Sequence, residues 1–513
     1  MHLPMVSPVQ QSGPRPRHVI TNAAWNMFGR IAPVLVALPV TPRLIHELGL
    51  SRWGIFTIAL SLIGTFGIFD LGLGRALTRA IAGRAHDESD RETADLILTG
   101  VLTLTGIGVI GGLISACAVS FWVRHGLKIP ENLQHETIVA LLVFCATAPL
   151  VMINAALWGV LTAYHEFRAT NLINIPISIA YYIGPLLVLT FWDSLVGVML
   201  VLAGCRLWMA IAYIRFCLRL VPQLRAARVR PHLLAPLLRI GGWMTVSNIA
   251  YPLLGNIDRF MIASVISAAA TGFYTTPSDA VGRFSMVTNA VSASAYPALA
   301  SSWRTDSIRT VELYRTSVLT LAALLLPLCL GTALFSSEIL SLWIDPDFAA
   351  HSSTIMKLLC LGVFIGSADA IAAGFLDAIG RPDASAKLSI GEMLIYVPLL
   401  VVFLHQFGVV GAAFAWAIRT AVDFVVRMLV SIRLYRPIAQ GVARILPAAL
   451  TGAACMCIAL VDMPLPVAGL FFAVAMAVFY GVLWFACLDD LERDTAAGIL
   501  KRIMTRFSRA PAS

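Results

Sequence analysis

The sequence predicts an all-α polytopic membrane protein of about fourteen transmembrane helices, two six-helix lobes in parallel repeat followed by two C-terminal helices. Three observations predict it. The chain is 58% hydrophobic and only 13% charged, against about a quarter charged in an ordinary soluble domain. Apolar runs long enough to span a bilayer recur along nearly its whole length. It also resembles itself at a shift of about 215–218 residues.

In chain order the predicted spans are Ile20–Val40, Ile55–Leu77, Ala94–Trp122, Thr137–Leu161, Leu172–Trp192 and Leu195–Leu218, then Gly241–Ile266, Gly272–Leu299, Val318–Trp343, Ile355–Ile379, Leu388–Leu404 and Val409–Ile432, and finally Ile445–Val461 and Val467–Cys487. The organisation that follows is an N-terminal tail (1–19), an N-lobe (20–218), a basic linker (219–240), a C-lobe (241–432), the two last helices (445–487) and a basic amphipathic tail (488–513). The tail alternates charged and apolar residues at helical spacing, as a helix lying on a leaflet does. Residues 1–17 carry four prolines and no early apolar run, so no cleaved secretory signal is expected there.

The net charge of +9 rests almost wholly on arginine. In a chain this apolar it reads as positive-inside loop bias rather than as a nucleic-acid surface. Arg215, Arg219, Arg225, Arg228, Arg230 and Arg239 follow the sixth span without an acidic residue among them, which marks that loop as cytoplasmic. Counting outward from it places both termini in the cytoplasm. The nine cysteines are scattered through apolar segments without metal-ligand spacing. No Walker motif, zinc motif or nucleophile elbow occurs, so no enzyme, metal or cofactor is expected.

The repeat shows as four matches in order. Leu44-Ile45 with Gly54-Ile55-Phe56 matches Ile262-Ala263 with Gly272-Phe273-Tyr274, and Val101–Leu104 matches Val318–Leu321. Gly159–Ala163 matches Gly374–Ala378, and Gly197 matches Gly411. An even six spans per half gives both halves the same orientation.

Ionisable residues within spans are the candidate functional groups, because a charge at the bilayer centre costs at least about 2.5–3.5 kcal/mol. Arg30, Arg206, Arg283 and Arg419 each lie roughly ten residues into a span, about 15 Å from its end; Arg259 lies nearer an end. They are the candidate anion-binding set. Arg75 and Arg79, near a span end, are expected to snorkel. Asp70, Asp258, Asp279, Asp369 and Asp423 are candidates for a coupling ion or for structural pairing. Spacing of i, i+4 favours pairing for Asp279/Arg283 and for Arg419/Asp423/Arg427. Asp369 has no such neighbour and is the first choice for the ion.

Leu44–Ala82, with Leu48-Gly49, Trp53-Gly54-Ile55-Phe56, Asp70-Leu71-Gly72-Leu73 and Arg75/Arg79, resembles the second-helix region of Wzx-type polysaccharide flippases. Asn256-Ile257-Asp258-Arg259-Phe260-Met261-Ile262, Gly272-Phe273-Tyr274 and Tyr296-Pro297 resemble the opening of that family's second half. The resemblance implies the multidrug/oligosaccharidyl-lipid/polysaccharide exporter fold, with two lobes about a V-shaped cavity. It implies translocation of a polyprenyl-diphosphate-linked oligosaccharide across the bacterial inner membrane, among membrane lipid and beside a polysaccharide polymerase complex. Arginine suits a diphosphate, because its planar fork bonds phosphate oxygens in pairs. The first span lacks the Asp-Ala-Phe segment of the related lipid II flippases, which argues against a peptidoglycan precursor. A multidrug exporter of the same fold is the second expectation, disfavoured because an arginine-rich path repels cationic drugs. A membrane polymerase or ligase would need a large polar loop, and the chain has none.

Overall fold

The computed structural model describes residues 16–66, 73–82, 91–233, 255–489 and 492–493, with side chains 16–31, 63–66 and 75–76 excepted. Asp70, residues 234–240 of the linker, residues 241–254 of the predicted span Gly241–Ile266 and most of the C-terminal tail therefore lie outside the described residues, as do the side chains of Arg30 and Arg75. The described secondary structure is helical throughout. The chain divides between Asn256 and Ile257 into two compact units.

The first unit contains α1 (Pro16–Phe66), α2 (Leu73–Ala82), α3 (Arg91–Phe121), α4 (Glu131–Ala146), α5 (Ala148–Ala163), α6 (Phe167–Leu189) and α7 (Leu195–Leu220). A straight 51-residue helix would be about 76 Å long, more than twice the hydrocarbon thickness. The chain escapes this at Gly49, whose φ of 71° and ψ of 159° interrupt α1. The helix therefore holds two segments, joined in the gap between the first and second predicted spans. The span predicted over 137–161 is broken at Thr147, between α4 and α5, because Pro149 in the next turn has no N–H to continue the ladder.

Polar clasps hold the helix ends. Arg52 donates from Nε to Glu136 (3.0 Å) and from Nη1 to Asp193 (2.8 Å), joining α1 and α4 to the α6–α7 turn. Glu136 also accepts from Ser194 Oγ (3.0 Å) and from the Leu195 amide (2.7 Å), so it caps α7. At the other end of the unit, buried Asp95 on α3 accepts from the Arg228 amide (2.7 Å) and pairs with Arg230 Nε (2.6 Å), while Thr99 accepts from the Arg230 amide (3.0 Å). The described part of the basic linker is thus pinned to α3.

The second unit opens with the helical stretch 255–265 (α8). It continues with α9 (Ala268–Gly282), α10 (Ser285–Ser302), α11 (Ser307–Leu334), α12 (Ser336–Trp343), α13 (Pro346–Ala378), α14 (Pro382–Leu434), α15 (Ile438–Ile458) and α16 (Leu465–Val482). Helix α13 is central and packs against α9, α10, α11, α12 and α14. Its buried face carries Phe348, Ile355, Leu359, Phe364, Ile371 and Phe375, spaced at helical intervals.

Helix α14 turns back on itself at Gly408 (φ 62°, ψ −145°). Phe403 and Phe414, eleven residues apart, stack at 5.6 Å, where a straight helix would hold them about 16 Å apart along its axis. A β-carbon raises the cost of the Gly408 conformation by about 1–3 kcal/mol. Gly408→Ala is expected to lower the melting temperature of the purified protein by several degrees. Gly106→Ala, at a helical position with nothing within 4 Å of the added carbon, is expected to leave it unchanged or slightly raised.

Ten helices among the described residues are long and apolar enough to cross a membrane. Helix α14 supplies two predicted spans, and α1 supplies the first and the opening half of the second, Ile55–Leu77, whose end lies in α2 beyond residues outside the described ones. The predicted span 272–299 is the broken and more polar pair α9–α10, which falls outside those ten because Ser, Thr and Gly dilute its hydropathy. Exposed Leu113, Ile114, Phe191, Leu394, Ile395 and Leu470 form part of the apolar outer surface that a lipid environment favours.

Candidate functional site

Among the described residues, each unit carries a buried polar constellation around in-span arginines. That of the second unit is built around Arg427 and Arg419 on the returning arm of α14. Arg427 donates from Nη1 to Asp369 on α13 (2.6 Å) and from Nη2 toward Asp423, one turn back on its own helix (2.8 Å). Its Nη2 also lies 3.7 Å from Glu392, on the outgoing arm. Arg419 pairs with Glu392 through Nε, and its guanidinium sits over the Tyr396 ring at 4.7 Å from the centroid. The Tyr396 hydroxyl donates to Asp258 on α8, and Tyr274 on α9 donates to the other carboxylate oxygen (2.8 Å). Asp258 is only 5% exposed. One continuous network thus links α8, α9, α13 and both arms of α14.

Its charge is unbalanced. Asp258, Asp369, Glu392 and Asp423 set four carboxylates against the two guanidiniums of Arg419 and Arg427. Buried like charges repel strongly at low dielectric, so the ionised network attracts a further positive charge. Asp369 Oδ1 is buried without a hydrogen-bond partner. A groove of about 260 Å3 between the arms of α14 reaches Glu392, Tyr396, Arg419 and Asp423, so the network is not sealed.

The remaining candidates separate from it. Arg259 pairs with Asp279, so the acidic-basic pair 258–259 sends its two side chains to different partners. Asp279 thereby takes a partner on α8, where i, i+4 spacing pointed to Arg283. Arg283 lies exposed at the break between α9 and α10. Arg30 falls within α1. Asp369, isolated along its own helix, finds Arg427 across the α13–α14 interface. Glu392 and Tyr396 escaped the sequence reading, and Tyr274 entered it only as part of a motif, not as a site candidate. Glu392 stands four positions into a predicted span, close enough to its start that its position alone did not single it out.

In the first unit Arg206 on α7 is 2% exposed. Its Nη1 donates to Thr147 Oγ1 at the α4–α5 break, and its guanidinium stands 4.6 Å from the Phe144 ring centroid. Its Nη2 has no hydrogen-bond partner, and no described carboxylate forms an ion pair with it. A cavity of about 230 Å3 between α5, α6 and α7 reaches it, lined also by Asn154, Trp158, Asn174, Tyr181 and Tyr213.

Comparison with known proteins places this architecture. A putative O-antigen transporter of Shigella flexneri is 25% identical over 422 residues, covering 79% of this chain and 96% of that protein. A probable flippase of Haloferax volcanii, AglR, is 22% identical over 411 residues, covering 77% of this chain and 80% of the other. Among solved structures, an inward-facing multidrug resistance MATE family transporter of the MOP superfamily superimposes with a TM-score of 0.68 at 15% identity, covering 82% of this chain and 99% of that one. The lipid II flippase MurJ in an inward closed conformation gives 0.61 at 14% identity, over 90% and 99%. These two likenesses establish the fold. The profile of the family described as "Polysaccharide biosynthesis protein" matches residues 19–303, more than half of the sequence. With all-helical units, membrane-length apolar helices and that match, the chain belongs to the polysaccharide biosynthesis protein family of multi-pass membrane proteins.

Proposed function

We propose that the protein is a flippase that moves a polyprenyl-diphosphate-linked oligosaccharide repeat unit from the cytoplasmic to the periplasmic leaflet of the bacterial inner membrane. It works by alternating access and serves surface polysaccharide assembly, whether O-antigen, capsule or exopolysaccharide. The observation that carries this reading is the match to a putative O-antigen transporter along 79% of the chain. The arginine-rich stretch after α7 supports a cytoplasmic position for that loop, and with it for both termini, by the positive-inside rule. A polysaccharide polymerase that consumes the flipped unit is the expected neighbour in the membrane.

Arg30 and Arg283 are assigned to the diphosphate. Arg283 supports this by its exposure at a helix break, since irregular backbone at membrane depth lines a wet path or is buried in protein. Arg419 and Arg259, engaged by Glu392 and Asp279, hold the second unit together. The carboxylate excess around Asp369 is assigned to the coupling cation, proton or sodium, whose binding lowers the negative charge of the network by one and whose release resets it.

Cells deleted for the gene are expected to accumulate the diphosphate-linked unit and to clear it when wild type is restored. The Arg283→Ala form is expected to clear it at least about tenfold more slowly, the factor that 1.4 kcal/mol of lost binding represents. Normal polymer output with no accumulated lipid would overturn the flippase reading in favour of export of another substrate.

A further inference from the structure

The first-unit cavity has a chemistry of its own. Arg206 is buried and charged, with the Tyr181 hydroxyl as its polar neighbour in the cavity and with no hydrogen-bond acceptor placed on Nη2. A guanidinium held so deep without a carboxylate is costly, and that cost falls when an anion reaches it. Asn154 donates its amide to the Arg206 carbonyl (3.2 Å), which leaves its buried Oδ1 as an acceptor without a donor. Asn174 accepts from the Tyr213 hydroxyl through Oδ1 (2.8 Å), and its amide nitrogen donates to no described residue. Trp158, 47% exposed, lies among the lining residues as an aromatic platform. The cavity therefore offers one cationic donor, one amide acceptor, one amide donor and an aromatic face.

Ligand classes sort themselves against that inventory. An inorganic anion would engage the guanidinium and leave the Asn154 acceptor and the tryptophan unused. An acyl or prenyl chain would cover Trp158 but strand two buried polar atoms, each costing about 1–3 kcal/mol. A neutral sugar ring would supply hydroxyl donors and a stacking face but leave Arg206 uncompensated. A sugar ring with an anionic substituent engages all of them. The volume of about 230 Å3 lies below the roughly 300–1,000 Å3 of drug-sized sites, so it holds one ring rather than an oligosaccharide.

We propose that the Arg206 cavity is a subsite for a single acidic sugar residue of the translocated glycan. The Arg206 guanidinium takes the anionic group, Asn154 and Asn174 take ring hydroxyls, and Trp158 stacks on the ring face. The proposal rests on the flippase reading and adds to it a preference among glycans. The same arginine braces the α4–α5 break through Thr147, so occupancy of the cavity bears on the one place where that membrane crossing is discontinuous.

The test uses the full-length protein in lipid nanodiscs, with D-glucuronate, D-glucose and inorganic phosphate as probes, followed by saturation-transfer NMR. Glucuronate is expected to bind at least about tenfold more tightly than glucose. Arg206→Gln is expected to abolish that preference, and Trp158→Ala to weaken both sugars. Trp158 stands partly exposed, so its replacement keeps the test open even where Arg206→Gln destabilises the protein. Equal binding of the two sugars, absence of glucuronate binding, or displacement of glucuronate by phosphate at equal concentration would each overturn the proposal. Failure here with lipid-linked glycan still accumulating in deleted cells removes the subsite and leaves the flippase reading standing. Failure of that accumulation removes the flippase reading itself, whatever binds in the cavity.

Discussion

Arg427→Met is expected to destabilise the protein by about 3–5 kcal/mol, the cost of stripping a buried ion pair of one partner. Arg427 is the cation that Asp369, Asp423 and, at longer range, Glu392 share. Its loss leaves Arg419 alone against four carboxylates, in a largely buried setting that screens them weakly. The double form Arg427→Met/Asp369→Asn removes one charge of each sign and is expected to recover a substantial part of the loss. That recovery separates an electrostatic cause from a packing one, because the double form restores no volume. Thermal unfolding in detergent, followed by size-exclusion chromatography of the heated samples, reads both. A single variant melting with wild type would show that the network is not held by its arginine.

The second large effect is expected for Asp369→Asn. The carboxylate with an unpartnered oxygen becomes a neutral amide of nearly equal size, so the fold persists while the excess negative charge falls by one. Clearance of lipid-linked unit is expected to slow at least about tenfold and to lose its response to an imposed cation gradient. Proton and sodium gradients imposed separately on vesicles identify the ion. A variant that keeps both the rate and the gradient response would show that coupling resides elsewhere. The Arg427 and Asp369 results are independent, since the first reads stability and the second reads transport by a folded protein.

Much of the fold was legible because hydropathy and backbone breaks are written locally. Gly49 and Gly408 lie in the gaps between predicted spans, and both carry the positive φ that reverses a helix. The α4–α5 break was not read: hydropathy runs the span over 137–161 as continuous, although Pro149 lies inside it. The interior position of Arg206 followed from its depth in a span without nearby acid, and the structure adds the missing neighbours. The partnerships of the second unit were not legible, because a helix read alone shows only what lies one turn away. The i, i+4 rule found Asp423–Arg427 and missed Asp369–Arg427, 58 residues apart in sequence. It also drew Asp279 to Arg283, where a cross-helix arginine, Arg259, is the partner. Glu392 was passed over because it stands at the start of a span, where acids are ordinary. Only the hairpin at Gly408 brings it against Arg419, 27 residues on.

The clasp between α3 and the basic linker sets a schedule for synthesis. Asp95 is buried, yet the backbone amide that satisfies it belongs to Arg228, 133 residues later. At about 5–20 residues per second, that amide is made roughly 7–27 s after Asp95. Until then α3 holds a carboxylate that cannot be comfortably enclosed, and the first unit stays ajar at that end. The linker closes it before most of the second unit has left the ribosome. The two halves of this chain therefore mature in sequence, with the linker as the last piece of the first rather than the first piece of the second.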